Sequence, residues 1–131
     1  LPNFASKIKS KLPLKIYGDG MQTRTFCYIT DGITGLLKVI LDGKKGEVYN
    51  IGNPSPEVSM IDVVQSIQQV LKRDIPFDVI PYPESYPSDE PKRRCPDIQK
   101  AKDEINYNPE INFSEGLKRF LTWTNTNYKG K

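Results

Sequence analysis

Apolar residues recur along this chain with two periods, one helical and one extended, and the helical one is the clearer. Met60, Val63, Val64, Ile67, Val70 and Leu71 fall at the spacing that winds them onto one stripe of an α-helix. Ser59, followed three residues later by Asp62, has the form of a capping box, so the helix is expected to begin there. Ile33, Leu36, Leu37 and Ile40 predict a second helix, capped by Thr30 or Asp31, with Gly43 as a C′ residue and its apolar face against a core. Phe4 and Ile8, with Leu12 continuing the face, predict a short helix that Asn3 caps and Pro13 ends. Asp97 can cap a helix carrying Ile98, Ala101 and Ile105, and Ser114 a final one carrying Leu117, Phe120 and Leu121, with Trp123 near its end. Four short runs read as strands: Leu14–Tyr17, Phe26–Ile29, Glu47–Gly52 and Phe77–Ile80.

Between the first two of these runs lies the turn Gly18-Asp19-Gly20, where both glycines can supply a positive φ. Beyond it Gln22, Arg24, Phe26 and Tyr28 alternate, which in an extended chain puts them on one face. An amide, a guanidinium and two rings on one surface suit a ligand with an anionic group and a flat ring, the profile of a nucleotide diphosphate. A second cationic stretch, Lys92-Arg93-Arg94, precedes Cys95-Pro96-Asp97. Two arginine sites converging on one pyrophosphate make a reasonable design, each charge-assisted contact contributing about 1.5–3 kcal/mol. Against this, exposed arginines usually sit in loose ion pairs, and by burial habit Phe26 and Tyr28 read as core packing. Pro81 to Pro96, with Tyr82, Tyr86, Asp89 and Glu90 but few aliphatics, reads as a long surface loop of the functional kind.

Composition narrows the classes. With 131 residues the chain is long enough for one core and short for two, so a single globular unit is expected. Apolar residues at 37% and charged residues at 27% belong to a folded, soluble chain. The net charge of +3 is mild and dispersed, which argues against a nucleic-acid partner. No run is long enough for a membrane span and none resembles a signal peptide, so a cytoplasmic location is the default. Cys27 and Cys95 form no CxxC pair and are read as reduced thiols. The absence of histidine removes Ser-His-Asp and Cys-His nucleophile systems and most zinc sites. Thr23 stands where a dinucleotide fingerprint starting at Gly18 would need glycine, and no tyrosine is followed four positions later by lysine. No catalytic residue and no metal-ligand set is therefore assigned, and a start at Leu1 without methionine reads as a piece of something longer.

Four ordered stretches are similar to one family. Pro2-Asn3-Phe4, the run from Tyr17 to Tyr28, Tyr49-Asn50-Ile51-Gly52-Asn53, and the run from Asp89 to Ile98 resemble the C-terminal part of the extended short-chain dehydrogenases/reductases. These are NAD-dependent nucleotide-sugar epimerases, dehydratases and decarboxylases, and the UDP-glucuronate decarboxylase branch looks nearest. The resemblance implies a small mixed α/β substrate-binding lobe over residues 1–131, with about five helices and short strands, whose N-terminal Rossmann domain is absent. It implies that Arg24 and Arg94 bind the phosphates of a UDP- or dTDP-linked sugar, that Gln22 lies beside them, and that Leu14–Tyr17 runs near the base. The expected substrate contacts are Tyr17, Gln22, Arg24, Phe26 and Arg94.

In the parent enzyme, by the same resemblance, hydride passes from the sugar's C4 to NAD while a tyrosine takes the hydroxyl proton, and hydride later returns. Those groups lie outside these residues, so the chain alone is expected to bind no NAD tightly and to be inactive. The helix at Asp31–Leu41 and the strand at Val48–Ile51 resemble elements that pack onto the Rossmann sheet, and their exposure would favour self-association. The alternative is a stand-alone binding or interaction module without catalysis. About 170–200 preceding residues with a glycine-rich fingerprint and Tyr-x-x-x-Lys would identify the enzyme. Which sugar, which base and which of the three reactions the sequence leaves open.

Overall fold

β1 (Leu14–Tyr17) lies parallel to β4 (Phe77–Ile80), Leu14 opposite Phe77 and Tyr17 opposite Ile80, in a computed structural model that describes residues 1–85 and 90–127. Tyr86 and Asp89 of the expected loop fall outside the described residues. Parallel strands need a long crossover, and α3 (Met60–Leu71) lies on the connection between these two. Strand alternation is visible in β1, where Leu14 and Ile16 are buried and Lys15 is exposed.

The chain divides into two compact units, Leu1–Thr23, Val58–Arg93 and Leu117–Lys131 in the first, Arg24–Glu57 and Arg94–Gly116 in the second. In the first unit the helical stripe of α3 is inside, with Val63, Val64 and Ile67 fully buried. Its capping box is formed as expected: Asp62 N–H donates to Ser59 Oγ at 3.0 Å and Ser59 N–H to Asp62 Oδ2 at 3.0 Å. Ser59 Oγ–H also donates to Asp62 Oδ2 at 2.7 Å, and this bond first, with the Ser59 N–H bond second, holds the Asp62 carboxyl below its ordinary range. α1 (Pro2–Lys9) begins one residue before the expected cap: Asn3 is inside the helix, Pro2 occupies its first turn, and Leu1 makes no side-chain cap.

α1 and α3 end alike. Leu12 N–H reaches Lys7 O and Lys11 N–H reaches Ile8 O, while Arg73 N–H reaches Gln68 O and Lys72 N–H reaches Gln69 O. Both sets are Schellman closures, and lysine occupies each left-handed position, Lys11 at φ 56° and Lys72 at φ 52°. The closure carries Leu12 off the buried face of α1, leaving it 47% exposed.

The second unit is built on α4 (Gln99–Ile105), whose Ala101 and Ile105 are buried with Ile98 and Tyr107, and Val39, Tyr49 and Ile51 pack on that cluster. Asp97 Oδ1 accepts from Gln99 N–H, one step earlier in the chain than the helix's own N-cap, Ile98. α5 (Phe113–Asn127) starts a residue before Ser114, because Asn112 Oδ1 takes the Glu115 N–H. Its Leu117 and Leu121 are buried and Trp123 is exposed.

Four expectations are corrected here. α2 (Ile29–Asp42) does not press its apolar stripe on the core: Ile33, Leu36, Leu37 and Ile40 are all exposed, as are Ile29 and Leu41. The inward positions are Asp31, Gly35 and Val39, spaced by one helical turn each. Asp31 Oδ2 accepts the Ile111 N–H at 2.9 Å, and Gly35 lets the helix approach so closely that an added Cβ would lie inside Ile51 and 2.8 Å from Tyr107. The helix ends on Gly43 at φ −67°, extended and not left-handed.

Glu47–Gly52 is not a strand. Val48 is exposed, and the segment is held by side chains: Tyr49 OH donates to Glu104 Oε2 at 2.7 Å and Lys100 pairs with Glu47 at 2.6 Å. Among the described residues no strand lies beside it to take its backbone groups. Phe26–Ile29 is not a strand either, since β2 is only Thr23–Arg24 and Tyr28 is already the N-cap of α2. β2 is the middle of a short sheet ordered β3-β2-β5, with β3 at Val58–Ser59 and β5 at Arg93–Arg94.

Two substitutions test these packings. Ser59→Ala is expected to lower the unfolding free energy by about 1 kcal/mol in a urea titration. Because Asp62 titrates lower in the folded chain, its contribution is complete above the unfolded pKa of about 3.9 and is lost as pH falls through the folded value, so Asp62→Asn should flatten the acid limb of stability below about pH 4. Gly35→Ala should destabilise: helix propensity gains about 1 kcal/mol, but crowding against Ile51 and Tyr107 costs ~1–3 kcal/mol and dominates. A raised thermal midpoint for Gly35→Ala would contradict the close approach.

Candidate functional site

The glycine turn has the conformation its sequence predicts, Gly18 at φ 73° and Gly20 at φ 75°, with Asp19 Oδ1 accepting the Met21 N–H at 2.9 Å. Gly18 N–H donates to Ile80 O and so carries the β1–β4 ladder into the turn. That register brings Tyr82, two residues past Ile80, against Tyr17, their rings stacked with centroids 6.1 Å apart. A Cβ on Gly18 would meet the far edge of the exposed Tyr82 ring at 2.5 Å, which can turn aside, so it is the positive φ that favours glycine there. Gln22 Nε2 donates to Tyr17 O at 2.8 Å, and its Oε1 is buried without a protein partner. Tyr17, Gln22 and Tyr82 thus form one cluster in the first unit.

In the second unit Arg24 is half-buried and Arg94 exposed. Thr25 N–H donates to Arg94 O at 3.2 Å, as Thr23 N–H does to Lys92 O at 2.8 Å. The two bonds advance together along both strands, which is parallel pairing, and they set Arg24 and Arg94 on neighbouring strands of one ladder. Arg24 and Arg94, seventy positions apart in sequence, are brought together by that pairing.

Phe26 lies differently from the alternation argument. The strand stops at Arg24, and the Phe26 ring packs on Phe113 with centroids 5.2 Å apart, while Tyr28 lies over Gly116. Phe26 and Tyr28 are both half-buried in these contacts. Sequence reasoning missed Tyr82 as a partner of Tyr17, because only the parallel register relates them. The one signal was its place in the Pro- and Tyr-rich loop.

Other polar groups of the second unit are structural. Tyr107, fully buried, donates its hydroxyl to Gly52 O at 3.1 Å, and burial pushes its ionisation far up. Its hydroxyl is 3.7 Å from Cys27 Sγ, and desolvation, the largest cause, raises the ionisation of that thiol too. Among the described residues no three His, Cys, Asp or Glu side chains are placed to hold a metal ion, and no helix is long and apolar enough to cross a membrane. The glycine turn does not fit a dinucleotide: it leads into β2 and not into a helix N-terminus, and the Tyr82 ring covers Gly18.

Comparison with known proteins agrees with this architecture. Residues 1–52 match the NAD dependent epimerase/dehydratase family. Over 120 residues the chain is 34% identical to UDP-glucuronic acid decarboxylase 1 of Arabidopsis thaliana, covering 92% of this chain and 26% of that protein. It is 33% identical to dTDP-glucose 4,6-dehydratase of Xanthomonas campestris, covering 97% of this chain and 38% of that protein. The structure of UDP-glucuronic acid 4-epimerase from Bacillus cereus, in complex with UDP-glucuronic acid and NAD, superposes with a TM-score of 0.85 at 30% identity, over 96% of this chain and 39% of that one. The chain therefore spans between about a quarter and two-fifths of the length of these relatives. With its mixed α/β architecture and these likenesses, the chain is a region of an extended short-chain dehydrogenase/reductase.

Proposed function

We propose that this chain is the substrate-binding part of an NAD-dependent nucleotide-sugar epimerase, dehydratase or decarboxylase, and that Arg24 and Arg94 hold the diphosphate of a UDP- or dTDP-linked sugar. The observation that carries this reading is the Thr25 to Arg94 bond, which puts the two arginines on adjacent strands. Two arginines mounted on neighbouring strands suit one anion with several oxygens, which can accept from both guanidinium groups. Rigid backbone pairing also holds the charges in place before the ligand arrives, which lowers the ordering cost of binding. The role of these side chains is to bind and orient; the hydride chemistry is supplied by NAD when a complete enzyme carries it.

The exposed stripe of α2 supports a partner domain. Leu36, Leu37, Ile40 and Leu41 are between 53% and 78% exposed on one helix, a surface that a covering layer would bury. The relatives are longer than this chain, and the covering layer is taken to be the NAD-binding domain. In the isolated chain the same surface would drive self-association.

Arg24→Ala in the full-length protein is expected to weaken UDP binding by about 10–100-fold, from ~1.5–3 kcal/mol per charged contact, as read by calorimetric titration. Unchanged affinity would return Arg24 to a surface ion pair. The purified 131-residue chain, supplied with NAD and UDP-glucuronate, should give no product by chromatography; any turnover would refute the division of labour proposed here.

A further inference from the structure

A groove of about 620 Å³ lies in the first unit among α1, α3 and α5, away from the arginine ladder in sequence and built from different elements. Its floor is aliphatic along α1 and α3, and α5 adds the polar Thr122, Thr124 and Asn125. Ala5 and Leu121 are buried there, and Ile8, Val70 and Leu71 are half-buried. Its rim is cationic: Lys9 and Lys11 come from the end of α1, Arg73 from just past α3, and Lys118 from α5. Among the described residues that line it there is no carboxylate.

Helix ends account for part of this charge. Lys9 is in the last turn of α1 and Arg73 follows α3, where a cation offsets the negative end of the helix dipole. Lys118 is in the second turn of α5, toward the positive end, where the dipole offers it nothing. Lys11 occupies a left-handed position that glycine takes more easily, yet carries a long cationic side chain onto the groove. The volume is that of a small-molecule site, about 300–1,000 Å³.

We propose that this groove binds a single-chain anionic amphiphile of the acyl carboxylate class, its tail along Ile8, Val70 and Leu71 and its head among Lys11, Arg73 and Lys118. Charge complementarity selects the head and the aliphatic floor selects the tail. Neither alone suffices: a bare anion forfeits the floor, and a neutral tail forfeits the rim. The exposed stripe of α2 is apolar too, so uptake of an apolar probe by itself does not locate the site; reversing charge on the rim does.

The test is calorimetric titration of the full-length protein with monomeric sodium decanoate, with octyl glucoside and sodium phosphate as neutral-tail and bare-anion probes. Decanoate should bind at one site, and the double variant Lys11→Glu, Lys118→Glu should weaken it by about tenfold or more while UDP affinity stays unchanged. Lys118→Gln alone, which needs no charge reversal to fold, should weaken it severalfold. Equal decanoate affinity in the variants, equal binding of octyl glucoside, or binding only to vesicles of anionic phospholipid would each overturn the assignment.

Discussion

An extended segment becomes a strand only when a second backbone lies alongside to take its N–H and C=O groups, and this requirement sorts the structure. Leu14–Tyr17 finds Phe77–Ile80, and the pairing fixes both the crossover through α3 and the meeting of Tyr17 with Tyr82. Thr23–Arg24 finds Arg93–Arg94, and through it the two candidate phosphate-binding residues become neighbours. Glu47–Gly52 has the composition of a strand and no strand beside it among the described residues. It is tethered instead by Tyr49, Glu47 and their partners on α4.

The same logic explains the orientation of α2. A helix buries the face that fits closest, and here the Asp31–Gly35–Val39 line fits because Gly35 removes the side chain that would hold the helix off Ile51 and Tyr107. The Asp31 carboxylate adds a bond to the Ile111 amide. The more hydrophobic face is left outward, an arrangement suited to a chain that meets a further layer.

Local chemistry was legible from residues in one stretch. The capping box at Ser59 and Asp62, the paired left-handed glycines around Asp19 and the buried stripe of α3 all depend on contacts within a few residues, so spacing alone predicts them. The starts of α1 and α5 lie one or two residues earlier than the pattern predicts, because Pro2 and Asn112 suit the beginning of those helices. The lysines at φ 56° and φ 52° were not legible at all: a Schellman closure is expected at glycine, and nothing about Lys11 or Lys72 advertises it.

By itself, then, the amino-acid sequence determined the α/β class, the helices with strong internal periodicity, and the kinship carried by its ordered motifs. Tertiary structure alone decided which extended runs paired, which face of α2 turned inward, that Phe26 packs on Phe113, and that Arg24 shares a ladder with Arg94. The division has one cause. Periodicity and capping are written in neighbouring side chains, whereas pairing and facing depend on backbone groups that look the same in every residue and acquire a partner only when distant parts of the chain come together.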